Sequence, residues 1–295
     1  MGGAFVAVAN DASALYWNPA GLARLHNNGE VTLNHTNWLA DVYFDFAGAT
    51  LSLGRYGAIG LSLTSLTMGE MEVRTVAYPD GTGEKFGASD IALTTSYARN
   101  LTDRFTIGFN LKFVNQRLWH ESASGVALDI GTLFTTQFRG MTLGMSICNF
   151  GSKMRMTGRD TQIPVDIAPE KYGNNNKIVG NMRTDAWDMP LIFRFGAAMN
   201  VIDNYNYRWT VAVDAMHPND NTEYINIGTE YALRNMVFLR AGYKNMFMKD
   251  SEEGLTAGVG MQFNLSGSFK VKFDYAYADF GVLENVQRFS LALEF

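Results

Sequence analysis

FTIGFNLKF, residues 105–113, alternates apolar side chains with small or polar ones without a break. Successive side chains of a β-strand point to opposite faces, so this stretch predicts a strand with one apolar and one polar face. Two further stretches follow the same rule: LTAGVGMQF at 255–263 and FKVKFDYAY at 269–277.

Alternating runs continue from about residue 30 to the C-terminus, and they predict about fourteen strands. We expect these strands near 30–39, 42–54, 56–68, 86–99, 103–118, 123–138, 140–150, 190–202, 206–216, 222–233, 236–246, 254–265, 268–280 and 286–295. Short connections, such as 266–267, alternate with longer ones, of which 69–85 and 151–189 are the longest. Short turns at one rim and long loops at the other are typical of outer-membrane barrels.

The polar face of these strands decides between a membrane barrel and a soluble protein. Many predicted strands have ten to thirteen residues, whereas soluble strands average about five or six and a tilted membrane strand needs roughly nine to eleven. We therefore expect the apolar face to contact lipid and the polar face to line a lumen in which opposite charges pair. The alternative is a large soluble all-β protein that carries these charges on its surface. The predicted lumen charges are Lys112, Asp129, Arg194, Asp214, Glu230, Arg240, Lys244, Lys270, Lys272, Asp274 and Arg288.

The composition narrows the function further. Charged residues make up 18% of the chain and aromatic residues 13%, with 29 Gly and 6 Pro, which suits strands and tight turns. The sequence contains no run of 18 apolar residues, so we expect no transmembrane helix. A net charge of -5 without a basic run disfavours nucleic-acid binding. The single cysteine, Cys148, excludes an internal disulfide and a zinc cluster. We expect no cofactor and no bound metal.

The first 29 residues do not alternate and form a separate segment. Asn10-Asp11 can cap a short helical turn that ends at Trp17, because Asn18 precedes a proline. Asn18 can cap a second turn with Pro19 at its first position. We therefore divide the chain into an N-terminal hatch or plug segment at 1–29 and a barrel at 30–295. Met1-Gly2-Gly3 lacks the features of a signal peptide, so we expect a trimmed or incomplete N-terminus.

The segment MGGAFVAVANDASALYWNPAGLA at 1–23 resembles the start of the PorV/PorQ family of type IX secretion outer-membrane proteins, within the FadL-like barrel superfamily. Its hatch motif, Asn18-Pro19-Ala20-Gly21, and the start at Gly2-Gly3-Ala4-Phe5 carry the resemblance. The last strand, FSLALEF at 289–295, resembles the insertion signal of bacterial outer-membrane barrels. The resemblance implies a transmembrane antiparallel β-barrel in the outer membrane, with a short helical hatch in its lumen.

Three functions fit this sequence, and none is catalytic. The resemblance implies an accessory protein of type IX secretion that binds a translocon subunit or a secreted cargo domain, and we expect loops 69–85 and 151–189 to make these contacts. A FadL-type channel for hydrophobic small molecules is the alternative. Its candidate lumen ligand contacts are Phe5, Leu15, Tyr16, Trp17 and Leu22. A purely structural outer-membrane protein is the third. In each case outer-membrane lipid is an expected partner.

Two kinds of chemical site are alternatives to this non-catalytic interpretation. The histidines His26, His35, His120 and His217 lack metal-binding spacing, and a Ser–His hydrolase around His120-Glu121-Ser122 has no evident third residue. Asp214, Asp220 and Glu223 could hold Ca²⁺ through oxygen ligands, although a solvated acidic loop explains them better. We therefore expect no catalytic residues.

Overall fold

The computed structural model describes residues 1–25, 27–168, 170–171, 178–249, 251–266 and 269–295. His26 and the second residue of the turn predicted at 266–267 lie outside these ranges, as does part of the loop predicted at 151–189. Fourteen antiparallel strands close into one barrel. They are β1 Gly29–Asn37, β2 Val42–Ser52, β3 Ala58–Met68, β4 Ala88–Asn100, β5 Phe105–Leu118, β6 Glu121–Thr135, β7 Thr142–Gly151, β8 Ile192–Asp203, β9 Tyr207–Pro218, β10 Tyr224–Leu233, β11 Val237–Met246, β12 Leu255–Ser266, β13 Phe269–Asp279 and β14 Asn285–Glu294.

Each strand pairs with the strands that precede and follow it in the barrel, and β14 pairs with β1 to close the ring. The register of this closing pair runs from Glu30 opposite Glu294 to Asn37 opposite Gln287. Strands of nine to fifteen residues are observed. The predicted all-β barrel of about fourteen strands is thus confirmed.

The outer face of the barrel is apolar and the inner face is polar. Leu61, Phe113 and Phe273 point outward and are 51–52% exposed, whereas Asn110 and Asp129 point inward and are buried. This is the reverse of a soluble sandwich, in which apolar faces meet, so the soluble alternative is wrong. None of the described helices is long and apolar enough to cross a membrane.

The two longest loops emerge from the same rim and contain short strands of their own. In the loop between β3 and β4, Met71–Glu72 pairs with Lys85–Phe86. In the loop between β7 and β8, Gln162–Val165 pairs with Ile178–Asn181. Both loops therefore have backbone structure that can hold side chains in fixed positions.

The N-terminal segment lies inside the barrel. A helical turn, Ala14–Trp17, is followed by a 3-10 helix, Pro19–Arg24. Leu15 and Leu22 are each 1% exposed and pack in a cluster with Phe46, Ala58 and Ala98 of the barrel wall. Burying a leucine side chain stabilises a fold by about 1.5–3 kcal/mol, so this cluster fixes the hatch to β2, β3 and β4.

Candidate functional site: hatch, lumen and loop rim

Asn18 is fully buried and joins the hatch to itself and to the wall. Its Oδ1 accepts a hydrogen bond from the backbone N–H of Ala20 at 3.2 Å, as expected of the residue that caps the 3-10 helix. Its Nδ2 donates to the carbonyl oxygens of Val6 at 2.9 Å and of Thr132 at 3.1 Å. The Asn18-Pro19-Ala20-Gly21 motif is therefore a structural corner, with every polar atom of the Asn18 side chain bonded within the protein.

Glycines on the inner face of the wall allow the hatch backbone to approach closely. A Cβ on Gly131 of β6 would collide with the Asn18 side chain, and one on Gly108 of β5 would collide with the backbone of Pro19 and Ala20. A Cβ on Gly144 of β7 would lie 2.5 Å from the carbonyl oxygen of Val6. The absence of side chains at these three positions lets the hatch backbone lie directly against β5, β6 and β7.

Polar side chains of the wall bind the hatch backbone, among them Asp214 and Asn110. Asp214 Oδ2 accepts hydrogen bonds from the backbone N–H groups of Phe5 at 2.7 Å and Val6 at 2.9 Å. Asn110 Nδ2 donates to the carbonyl oxygen of Leu15 at 2.9 Å and to Asp129 Oδ2 at 2.9 Å. Lys112 Nζ completes this group at 2.7 Å from Asp129 Oδ2. The buried carboxylate of Asp129 is thereby compensated by a cation and by hydrogen bonds.

A second anchor lies at the C-terminal end of the hatch, on the short-turn side of the barrel. The Arg24 guanidinium donates to Thr106 Oγ1 at 3.0 Å, to Thr135 Oγ1 at 2.9 Å and to the carbonyl oxygen of Leu133 at 3.1 Å. Burial lowers the pKa of Arg24 from its usual value. The hatch is thus held at both of its ends.

Opposite charges pair in the part of the lumen beside the hatch. Glu230 bridges Arg208 at 3.1 Å and Arg240 at 2.7 Å, and Arg240 also pairs with Asp274 across β12. Gly260 lies between these two partners on β12, where a Cβ would collide with Asp274. Towards the short-turn rim, two lysines pair with two glutamates. The contacts are Lys272 to Glu30 at 3.3 Å, Lys272 to Glu294 at 3.2 Å and Lys270 to Glu294 at 2.7 Å.

Two of the predicted lumen charges, Arg194 and Arg288, have no carboxylate of the described residues within 4.0 Å. Arg194 lies against the rings of Tyr16 and Trp17, with its guanidinium carbon 5.8 Å and 5.4 Å from the two ring centroids. Arg288 donates from Nε to Thr36 Oγ1 at 3.1 Å. Lys244, the remaining predicted charge, pairs with Glu253 at 2.6 Å.

A cavity of about 550 Å³ lies in the lumen between the hatch and the long-loop rim. Of the five predicted ligand contacts, Tyr16 and Trp17 line it. Leu15 and Leu22 are instead buried in the cluster that fixes the hatch, and Phe5 packs against that cluster. These three side chains pack between the hatch and the wall and do not line the cavity. The glycines of the wall allow the hatch to approach so closely that no open space is left beside these side chains. The other walls of the cavity include Thr36, Trp38, Phe44, Phe46, Phe280 and Arg288.

The residues of the two alternative chemical sites, the hydrolase around His120 and the calcium site, have other contacts in the structure. His120 is engaged by Asp160 at 2.9 Å and by Arg159 at 3.1 Å, and its hydrogen bond lowers the pKa of the Asp160 carboxyl. Asp214 faces the hatch inside the lumen, whereas Glu223 is on the surface beside His217 at 3.0 Å. Asp214, Asp220 and Glu223 therefore do not form one group of oxygen ligands, because Asp214 and Glu223 face different compartments.

Several contributors to this site were missed on sequence. Glu30 and Glu294 continue the polar alternation of their strands and form ion pairs, so the same parity rule would have identified both. Asn110 was recognised as polar, but its bond to the hatch depends on the position of Leu15. The wall glycines at 108, 131 and 144 also share the inward parity, although nothing in one sequence indicates what lies against them.

The chain matches one family model, and its fold is similar to solved barrel structures. The family model "Type IX secretion system protein PorV" matches residues 1–216. The barrel is similar to a Pseudomonas aeruginosa FadL homologue, with TM-score 0.58 and 12% identity over 99% of this chain and 95% of that one. It is also similar to the Pseudomonas putida toluene transporter TodX, with TM-score 0.57 and 12% identity over 99% and 96%. At this identity the likeness concerns the fold. No curated protein matches.

Proposed function

Because the chain belongs to the PorV family of type IX secretion system proteins, we propose that it is a non-catalytic outer-membrane accessory protein that binds secreted cargo at its long-loop rim. The observation that carries this proposal is the exposure of apolar side chains on the two longest loops. Val76 is fully exposed and Tyr78 is 63% exposed in the first loop, and Ile167 and Val179 are 71% and 63% exposed in the second. Such side chains gain free energy when a partner covers them.

The loops also have the backbone order that a docking surface requires. In the first loop, the backbone N–H groups of Thr75 and Tyr78 each donate to the carbonyl oxygen of the other, at 3.2 Å and 3.1 Å. In the second loop, Met154 and Trp187 form an isolated bridge that ties the base of the loop together. A surface held in this way loses less entropy when it binds a partner. A translocon subunit is the other partner that this rim could take.

Photo-crosslinking from exposed positions at the two rims tests this proposal. A photo-crosslinking amino acid at position 78 is expected to capture a secreted cargo domain in cells, whereas the same residue at position 205 is not. Tyr205 is the matched control, because it is 92% exposed but lies in the short turn between β8 and β9 at the opposite rim. Val76→Ser with Tyr78→Ser is expected to reduce cargo secretion at unchanged barrel abundance, and Tyr205→Ser is not. Cargo capture from position 205 alone, or normal secretion by the double variant, would contradict the proposal.

A channel for hydrophobic small molecules remains the second candidate, because an aromatic-lined cavity lies above the hatch. Its difficulty is the close contact between hatch and wall at Gly108, Gly131 and Gly144, because a ligand could pass there only if the hatch moved. If this candidate is right, cells whose outer membrane contains the barrel should take up labelled toluene faster than cells that lack the barrel. Equal rates would eliminate this candidate.

A further inference from the structure

The cavity above the hatch combines aromatic walls with a guanidinium that has no carboxylate partner among the described residues. Trp38, Phe44 and Phe280 supply rings to its wall. Its volume of about 550 Å³ falls within the roughly 300–1,000 Å³ of typical small-molecule sites. Such a cavity can enclose an apolar body of the size of a substituted benzene.

Arg288 gives this cavity a charge. Its Nε is used by Thr36, and among the described residues neither of its terminal nitrogens donates a hydrogen bond to the protein. Of the lysine and arginine side chains that line the cavity, the other is Lys244, which is neutralised by Glu253 at 2.6 Å. Arg288 thus leaves two terminal N–H₂ groups free beside the cavity.

Most other cations of the described lumen are paired with carboxylates, and the exception, Arg194, lies against the rings of Tyr16 and Trp17. Between β9 and β1, four cations pair with four carboxylates: Arg208, Arg240, Lys270 and Lys272 with Glu30, Glu230, Asp274 and Glu294. A partly buried cation without such a partner is costly, and an anion that enters the cavity recovers part of that cost. Two parallel N–H donors of a guanidinium match the two oxygens of a carboxylate.

We infer that the lumen cavity is a binding site for an amphiphilic anion, a carboxylate or sulfonate attached to an apolar or aromatic body. The anionic group accepts hydrogen bonds from the Arg288 guanidinium, while the body lies against Trp38, Phe44 and Phe280. A neutral hydrocarbon would fill the same space but leave Arg288 uncompensated. This inference depends on the cavity alone, and it stands or falls separately from cargo binding at the loops.

The test compares two probes of nearly equal shape, 4-phenylbutyrate and 4-phenylbutanol. Calorimetric titration of the full-length protein in nanodiscs, with empty nanodiscs as the blank, is expected to show at least about tenfold tighter binding of the carboxylate, which corresponds to about 1.4 kcal/mol. Arg288→Met should bring the two affinities together, and Arg288→Lys should keep part of the difference. Lys270→Met is the matched control, because it removes a lumen cation outside the cavity while Lys272 still pairs with Glu294.

A second variant tests the cavity while Arg288 stays in place, in case Arg288→Met does not fold. Leu66→Trp enlarges a side chain of the cavity wall on β3, three strands away from Arg288 on β14, so it should weaken the binding of both probes. Heat-modifiable gel mobility checks that every variant is folded. The inference is overturned if the carboxylate does not bind, if both probes bind the native protein equally, or if Arg288→Met retains the preference.

Discussion

Asp214 is fully buried, and one of its carboxylate oxygens holds the start of the hatch. We predict that Asp214→Leu releases this end of the hatch, because two buried amide N–H groups lose their acceptor at a cost of about 1–3 kcal/mol each. Asp214→Asn retains an accepting oxygen and should keep the hatch in place. Limited chymotrypsin digestion at Phe5 measures the release by intact mass, and trypsin cleavage after Arg24 reports separately on the other end of the hatch.

The control for this prediction is Asp203→Asn, since Asp203 is exposed and bonds to Asn200 at the short-turn rim. The leucine variant should be cut after Phe5 much faster than the native protein, and Asp203→Asn at the native rate. Equal cleavage of all three proteins would show that Asp214 does not anchor the hatch.

At the scale of single residues, alternation predicts which face a side chain occupies but not what it contacts. The pairing of Arg240 with Glu230 joins neighbouring strands, and its pairing with Asp274 reaches over Gly260 on β12. Both contacts depend on strand register, which one sequence does not fix. The roles of Leu15 and Leu22 depend on how closely the hatch approaches the wall, so their burial was not foreseen.

The contact of the hatch with β5, β6 and β7 is a property of elements. We predict that Gly131→Ala displaces the Pro19–Arg24 helix, because the new Cβ would collide with Asn18. Overpacking of this kind costs typically about 1–3 kcal/mol. The trypsin assay at Arg24 should show faster cleavage, while heat-modifiable gel mobility shows an intact barrel.

Gly258→Ala is the matched control on β12, since a Cβ there would have its nearest neighbour, the carbonyl oxygen of Tyr275, at 3.1 Å and touch no hatch atom within 4 Å. It should protect Arg24 as well as the native protein does. If Gly131→Ala is equally protected, the close fit between hatch and wall is not what holds the hatch.

Among the elements, strands and caps were more predictable than loops. Strict alternation identified the strands around 105–113, 255–263 and 269–277, and the Asn18-Pro19 pair identified the start of the 3-10 helix. The short ladders within the loops were not predicted. Met71–Glu72 and Lys85–Phe86 are each only two residues long, which is too short for any periodic pattern.

For the whole molecule, inversion of the barrel faces explains the other features. Outward apolar side chains suit lipid, and the polar inner face supplies both the anchors of the hatch and the paired charges beside it. The lumen is therefore divided between a hatch fitted closely to one wall and a cavity on the other side. Alternation alone predicted which face of the barrel is polar. It did not predict how the lumen is divided, because that depends on where the N-terminal segment folds.

The most direct test of this inversion is the accessibility of spin labels along β13. Cys148→Ser removes the single cysteine, and single cysteines then carry labels at 273, 275, 276 and 278. In bilayers, labels at 273 and 275 should be accessible to oxygen dissolved in lipid, while those at 276 and 278 should be accessible to a water-soluble nickel chelate or be protected from both. Lipid exposure at 276 and 278, with water exposure at 273 and 275, would contradict the account.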